Sequence, residues 1–565
     1  MANDEFPFHF APSAMDASDW GQIEAQFKRL DTRELPDSAG VEQWLRDWSE
    51  LESIVGEEEQ VRYVEMTRQT DDSARERRYL DFVEQVTPSL KRWQDRLDRK
   101  LLQAGGGDAL PSHYDVLMRQ VRNRIDLFRD ENVALQTEDE KLRTQYQKIC
   151  GAMTVQFDGR DQTLQQMSRY LEEPDRSQRE AAWRGVAQRR LADRDVMDAV
   201  FDEMAGLRHR IAVQADQPDY RAYAFRLLER FDYSPRDCEQ FHEAVASAVV
   251  PFMRSLQEQR RRAMGLTVLR PWDMAVDPMG RPPLRPFNSE DELTAGCEAV
   301  IERLSPELAA QYQRMRREDL LDLGSRKGKA PGGYMTVFER RRLPFIFMNA
   351  VGRHDDVHTL LHEAGHAFHA FATRDEPLIS YRNAPIEFAE VASMGMELLC
   401  EPHLDVFYES DELARARRED LEDIVRILCW IATIDAFQHW IYLHPNHTCN
   451  ERTAAWLDVH ERFGGIEDWS GLAPSRAALW HRQLHPFTVP FYYVEYGIAQ
   501  LGALQLWLNA KSDRKKAISD YRTGLGLGGS RPLPALFRAA GLKFDFSVDL
   551  IQRLMSAISR ELKND

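Results

Sequence analysis

Long stretches of this chain repeat apolar residues at three- and four-residue steps against charged faces, the mark of amphipathic helices. The pattern predicts helix over Ser73 to Gln103, interrupted at Pro88, and over Glu131 to Ile149, Arg176 to Ala212 and Pro235 to Met264. Gly105-Gly106-Gly107 marks a break between two of these helices. Strand patterns are few. Met153 to Phe157 followed by Asp158-Gly159 reads as a strand entering a hairpin turn. Leu343 to Asn349 has the length and β-propensity of a short strand, with Pro344 suited to a strand start or a sheet edge. Asp277 to Pro286 is a Pro-rich connector. The expectation is a mostly α-helical protein with a small β-sheet, in which the first 180 residues form a helical region packed against a larger one, 181–565.

Composition narrows the class. A chain of 565 residues exceeds one ordinary core, and 43% hydrophobic with 29% charged residues is the balance of a soluble protein. A net charge of -18 argues against nucleic acid or an anionic membrane as partner. No run approaches the roughly 20 apolar residues that span a bilayer. The first residues lack the basic start and apolar stretch of a signal peptide, and six cysteines lie scattered without CxxC pairing. Reduced thiols in a cytoplasm are therefore expected.

One helical segment carries more than packing. Val357, Leu360, Leu361, Ala364, Ala367 and Phe368 recur at helical steps behind Asp355 and Asp356, which suit a helix start. Within it stands His362-Glu363-Ala364-Gly365-His366, and five of the 16 histidines fall between His354 and His369. Positions four apart share a helix face, so His362 and His366 can reach one zinc ion. Glu363 between them can take a proton from water that the metal acidifies to a pKa of roughly 7. A buried helix with hydrogen-bonded core histidines is the plainer alternative; the concentration of imidazoles favours a metal.

Two histidines leave a tetrahedral zinc short of a protein ligand. A metzincin would continue to Gly at 369 and His at 372, but His369 and Ala372 stand there. Pro385 to Glu397 offers a second helix, with Glu387, Glu390 and Glu397 on one face and Pro385 in its first turn. Glu390 is taken as the ligand and Glu397 as a hydrogen-bond partner of a liganding imidazole, although spacing alone suits Glu387 nearly as well. Gly524 to Gly529 matches a dinucleotide fingerprint but follows a helix end instead of a strand, so it reads as a mobile loop.

His362 to His369 together with Phe388-Ala389-Glu390-Val391-Ala392-Ser393 resembles the thimet oligopeptidase and oligoendopeptidase F family of zinc metallopeptidases, nearest its oligoendopeptidase F and Pz-peptidase branch. Arg326 to Tyr334, Pro344 to Asn349 and His485 to Tyr496 resemble further family segments. The resemblance implies a zincin-like catalytic region, a deep channel for short unfolded peptides, one Zn²⁺ per chain on His362, His366 and Glu390, and Glu363 as base. It also implies that His485 and one or two of Tyr492, Tyr493 and Tyr496 stabilise the oxyanion, a task suited to neutral hydroxyls and an imidazole N–H. Leu343 to Asn349 could hold an extended peptide if it is an edge strand, or be a buried strand of a small sheet. A dipeptidyl carboxypeptidase of the same family and a catalytically silent peptide-binding protein are the competing readings; oligomeric state is open.

Overall fold

The computed structural model describes residues 5–12, 15–104, 110–326, 328–330 and 332–564. The Gly105-Gly106-Gly107 break lies outside them. Helices stand where the apolar periodicity places them: Ser73–Gln85 and Thr87–Gln103 meet at Val86 just before Pro88, and Asp130–Gly151 covers the third predicted stretch. Arg176–Ala192 and Arg194–Gln214 divide the next at Asp193. Pro235–Ala244 and Val250–Ala263 are joined through a π-helical turn, Val245–Val249, where Pro251 cannot donate a bond to the preceding turn.

Apolar side chains gather in two cores. The smaller is built from residues between Phe10 and Val121, closed by Leu378 and Tyr381. The larger runs from Val64 and Leu127 to Leu562 and includes the segments around residues 343–400 and 424–507. Ser410–Leu443 is long and apolar enough to cross a membrane by length and composition, but 67% of its most apolar window is buried inside this fold. It packs against Cys449–Phe463 and Tyr493–Ser512 as a core helix.

The β-structure is small. Strands β1 (Thr154–Phe157) and β2 (Arg160–Thr163) form an antiparallel hairpin around Asp158 and Gly159, both at positive φ, as a two-residue turn demands. Strands β3 (Leu321–Gly324), β4 (Tyr334–Phe338) and β5 (Leu343–Ala350) form a second sheet in the order β3-β5-β4. β3 is parallel and β4 antiparallel to β5. This settles the choice left open for residues 343–349: β5 is the central strand, buried over its first six residues, and β4 is an edge with no further strand beside it among the described residues. Tyr334 of β4 stacks on Phe347 and shares a 2.6 Å hydrogen bond with Thr67, which ties the sheet to the N-terminal helix Ser38–Arg68.

Gly524 to Gly529 is not a free loop. Helix Arg514–Leu525 enters this stretch, and the Gly529 N–H donates to Tyr381 O at 2.9 Å. A Cβ on Gly528, at φ +50, would meet that same carbonyl at 2.0 Å, so the glycines allow a turn that lies directly on the neighbouring backbone.

Candidate metal centre and active-site cleft

The helix His354–Thr373 forms because its apolar stripe is completely covered, with Val357, Leu360, Leu361, Ala364 and Ala367 all at 0% exposure. Asp356 caps its start by accepting 2.8 Å bonds from the N–H groups of Val351 and Arg353. The second helix, Ile386–Cys400, starts one residue after Pro385, which stands outside the first turn as its cap. The two helices touch at Gly365. A Cβ there would lie 2.6 Å from both Ala392 O and Ser393 Cα, so the missing side chain sets the helix separation.

That separation brings the candidate ligands together. His362 Nε2 and His366 Nε2 lie 3.3 and 3.5 Å from Glu390 Oε2. Ligand atoms about 2.0–2.1 Å from a tetrahedral zinc stand about 3.3 Å apart, so the cluster has the spacing of a metal site. Ser393 Oγ donates to Glu390 Oε2 at 2.9 Å and the Tyr492 hydroxyl to Glu390 Oε1 at 3.0 Å, so both oxygens are oriented. Burial opposes charge on Glu390, yet His366 and His362 hold its carboxyl well below the usual range. Glu387 is turned elsewhere, accepting from Tyr233 at 2.6 Å near Arg230, and takes no part in the cluster.

The cluster ends a longer ladder. His354, His358, His362 and His366 follow one another at four-residue steps, and three carboxylates alternate with them. Asp420 Oδ1 lies 2.8 and 3.0 Å from the Nε2 atoms of His354 and His358. Glu397 bridges the Nδ1 atoms of His358 and His362 at 3.7 and 2.7 Å. Glu390 occupies the last gap. His354 Nε2 is hydrogen-bonded to Asp420, and His358 Nε2 meets the same oxygen at 3.0 Å without hydrogen-bond geometry, while the distances at Glu390 are wider and suit a bridging cation. Glu397 holds the far nitrogen of His362, the kind of outer contact worth about ten- to a hundredfold in metal affinity. Asp420 comes from helix Ser410–Leu443, and no local motif announces it.

Glu363 is 6% exposed, and its Oε2 has no hydrogen-bond partner among the described residues. Burial pushes its pKa up against the pull of His362 and His366. Both features suit a base awaiting water at the cluster. His369 is buried near Phe388, and burial followed by the nearby His366 pulls it down to about 3; it is a neutral packing residue.

Tyr492, Tyr496, Glu363, His362, His366 and Glu390 line one cleft of about 460 Å³, which β4 borders through Tyr334, Met335 and Val337. Phe491, at φ +68, precedes this pair of tyrosines. Its N–H donates to Gln438 Oε1 at 2.8 Å and its carbonyl accepts from Arg230, contacts that hold a backbone strain of about 1–3 kcal/mol. Tyr493 does not join the cleft; it lines a larger cavity on the other side of His362. His485, on the short helix Leu484–Thr488, packs among all three tyrosine rings.

Two residues that sequence reasoning missed set the protonation of His485. The Trp430 indole N–H donates to Gln483 Oε1 at 2.8 Å, which turns the Gln483 amide nitrogen toward His485 Nδ1 at 2.7 Å. The imidazole therefore accepts at Nδ1 and carries its proton at Nε2, and burial keeps it neutral by pulling it down to about 4. Tyr492 and Tyr496 are pushed well above the ordinary tyrosine range, by burial first and by Glu390 next, and remain neutral donors.

Comparison with known proteins gives a family and a fold. Residues 169–556 match the model of peptidase family M3. An oligoendopeptidase F homolog of Borreliella burgdorferi is 24% identical over 51% of this chain and 49% of its own length. Oligopeptidase PepF of Bacillus subtilis is 26% identical over 42% of this chain and 37% of its own. The chain thus spans about half the length, or less, of these curated relatives in sequence. The fold likeness is wider: a solved structure of Pz peptidase A with an inhibitor superposes with a TM-score of 0.92, covering 99% of both chains at 26% identity.

Proposed function

This chain belongs to peptidase family M3, and we propose that it hydrolyses short unfolded peptides with one zinc ion held by His362, His366 and Glu390. The observation that carries the proposal is the convergence of two Nε2 atoms and one carboxylate oxygen at metal-ligand spacing beside a buried carboxylate. When bound, zinc supplies Lewis acidity, acidifying water and polarising the scissile carbonyl. Glu363 takes the proton of the attacking water and delivers it to the leaving amine. Tyr496 and the Nε2–H of His485 donate to the developing oxyanion, while Tyr492, bonded to Glu390, steadies the ligand. The open edge of β4 offers main-chain groups to an extended substrate, which suits broad sequence tolerance. Residues 1–180 and 181–565 then wall a deep channel that admits oligopeptides and excludes folded proteins.

A length series of quenched peptides tests this reading. Cleavage is expected to stop on chelation, to return with zinc, and to fall steeply for long or folded substrates. Cleavage that survives chelation would overturn the metal assignment; indifference to length would overturn the channel. Internal cleavage of a peptide with a blocked C-terminus separates an endopeptidase from a dipeptidyl carboxypeptidase.

The His485 tautomer gives a second expectation. Trp430→Phe keeps an aromatic ring but removes the N–H that orients Gln483, so kcat is expected to drop on the order of tenfold. An unchanged kcat would show that the Trp430 to Gln483 contact does not serve His485.

A further inference from the structure

The cavity of about 950 Å³ that shares His362 with the cleft has walls rich in tryptophan and an uneven charge balance. Most ionised groups on it are paired. Arg426 meets Asp423 at 2.7 Å, Arg417 meets Glu401, Asp355 meets Arg353 at 2.6 Å, and Asp420 and Glu397 serve the histidine ladder. Glu467 accepts from Gln257 at 3.0 Å, and burial pushes its carboxyl toward the neutral form. Two cations are left over. Among the described residues, Arg190 and Arg482 line the cavity with no carboxylate in ion-pair contact and no side-chain hydrogen bond.

Arg482 stands within electrostatic reach of Arg190. Burial lowers Arg190, and it lowers Arg482 to about 10, with Arg190 as the next cause. Arg482 lies 4.5 Å above the Trp430 ring, whose N–H is itself bonded to Gln483, so the cation rests on a fixed platform. A pair of uncompensated arginines on a preformed wall is a site for an anion that can accept fork-like bonds. Every unblocked peptide carries one such group at its C-terminus, and Asp or Glu side chains supply the same chemistry.

We propose that Arg190 and Arg482 bind a carboxylate of the peptide substrate in the cavity beside the metal cluster. This rests on the peptide-hydrolysis reading and adds what holds the far part of the substrate. Binding is measured by competition on the Glu363→Gln chain, so that turnover does not enter. Three peptides of one sequence are compared: a free C-terminus, a C-terminal amide, and an amide carrying one added Glu.

At least one carboxylate-bearing peptide is expected to bind about tenfold or more tighter than the plain amide. Preference for the free acid identifies the C-terminus, and preference for the Glu-bearing amide identifies a side chain. The advantage is expected to vanish in Arg190→Gln and Arg482→Gln chains that unfold at the unaltered temperature, and to return in part in Arg482→Lys. Equal affinity for all three peptides overturns the proposal, and so does a preference that survives both substitutions. Hydrolysis of the plain amide by the unsubstituted chain is read separately, so loss of the peptidase reading and loss of this one have different signatures.

Discussion

Glu363→Gln is expected to lower kcat on quenched oligopeptides on the order of a thousandfold while zinc content and thermal stability hold. The amide keeps the shape of the carboxylate but cannot accept the proton of the attacking water. Stability should not suffer. Glu363 is 6% exposed, its Oε2 lacks a hydrogen-bond partner among the described residues, and burial already disfavours its charge, so a neutral isostere removes a cost of burial instead of adding one. Metal binding should also persist, because Glu363 lies outside the His362, His366 and Glu390 group. Steady-state rates at matched zinc content decide the matter, and a kcat within tenfold of the parent chain would remove Glu363 from the role of base.

Local periodicity carried much of this molecule. The helix over residues 354–373 and the second helix with Glu390 and Glu397 on one face follow from steps of three, four and seven residues, which the chain resolves within single helices. Contacts between distant segments were not legible. Asp420 reaches the histidine ladder from a helix that begins after residue 409, and Trp430 reaches His485 through Gln483. The strand at 343–349 was recognisable as a strand, but its central place depends on β3 and β4 pairing on either side. Tyr492, Tyr493 and Tyr496 could not be separated by spacing, because the turn at Phe491 sets which rings face Glu390. Gly524 to Gly529 carries a composition that fits mobile loops and packed turns alike; the carbonyl of Tyr381 makes it a packed turn.

The same limit applies to Gly365, where helix propensity and tertiary contact predict opposite signs. In an isolated helix Gly365→Ala would stabilise by about 1 kcal/mol. Here the added Cβ would stand 2.6 Å from Ala392 O and Ser393 Cα, which are backbone atoms of the glutamate helix and cannot rotate away. The helices must part, and overpacking of this kind costs about 1–3 kcal/mol, so the tertiary term wins. The movement also reaches the chemistry. Glu390 stands two residues before Ala392, and its Oε2 must stay near 3.3 and 3.5 Å from the two imidazoles to share a metal with them. A shift approaching 1 Å is expected to lower kcat/KM on the order of a hundredfold. Zinc affinity should fall with it, because the three donors no longer converge. Isothermal titration of the chelated protein with zinc, beside thermal unfolding of the metal-free form, separates the two effects. If Gly365→Ala raised the unfolding temperature and left zinc affinity intact, the contact at Gly365 would not be what positions Glu390 against His362 and His366.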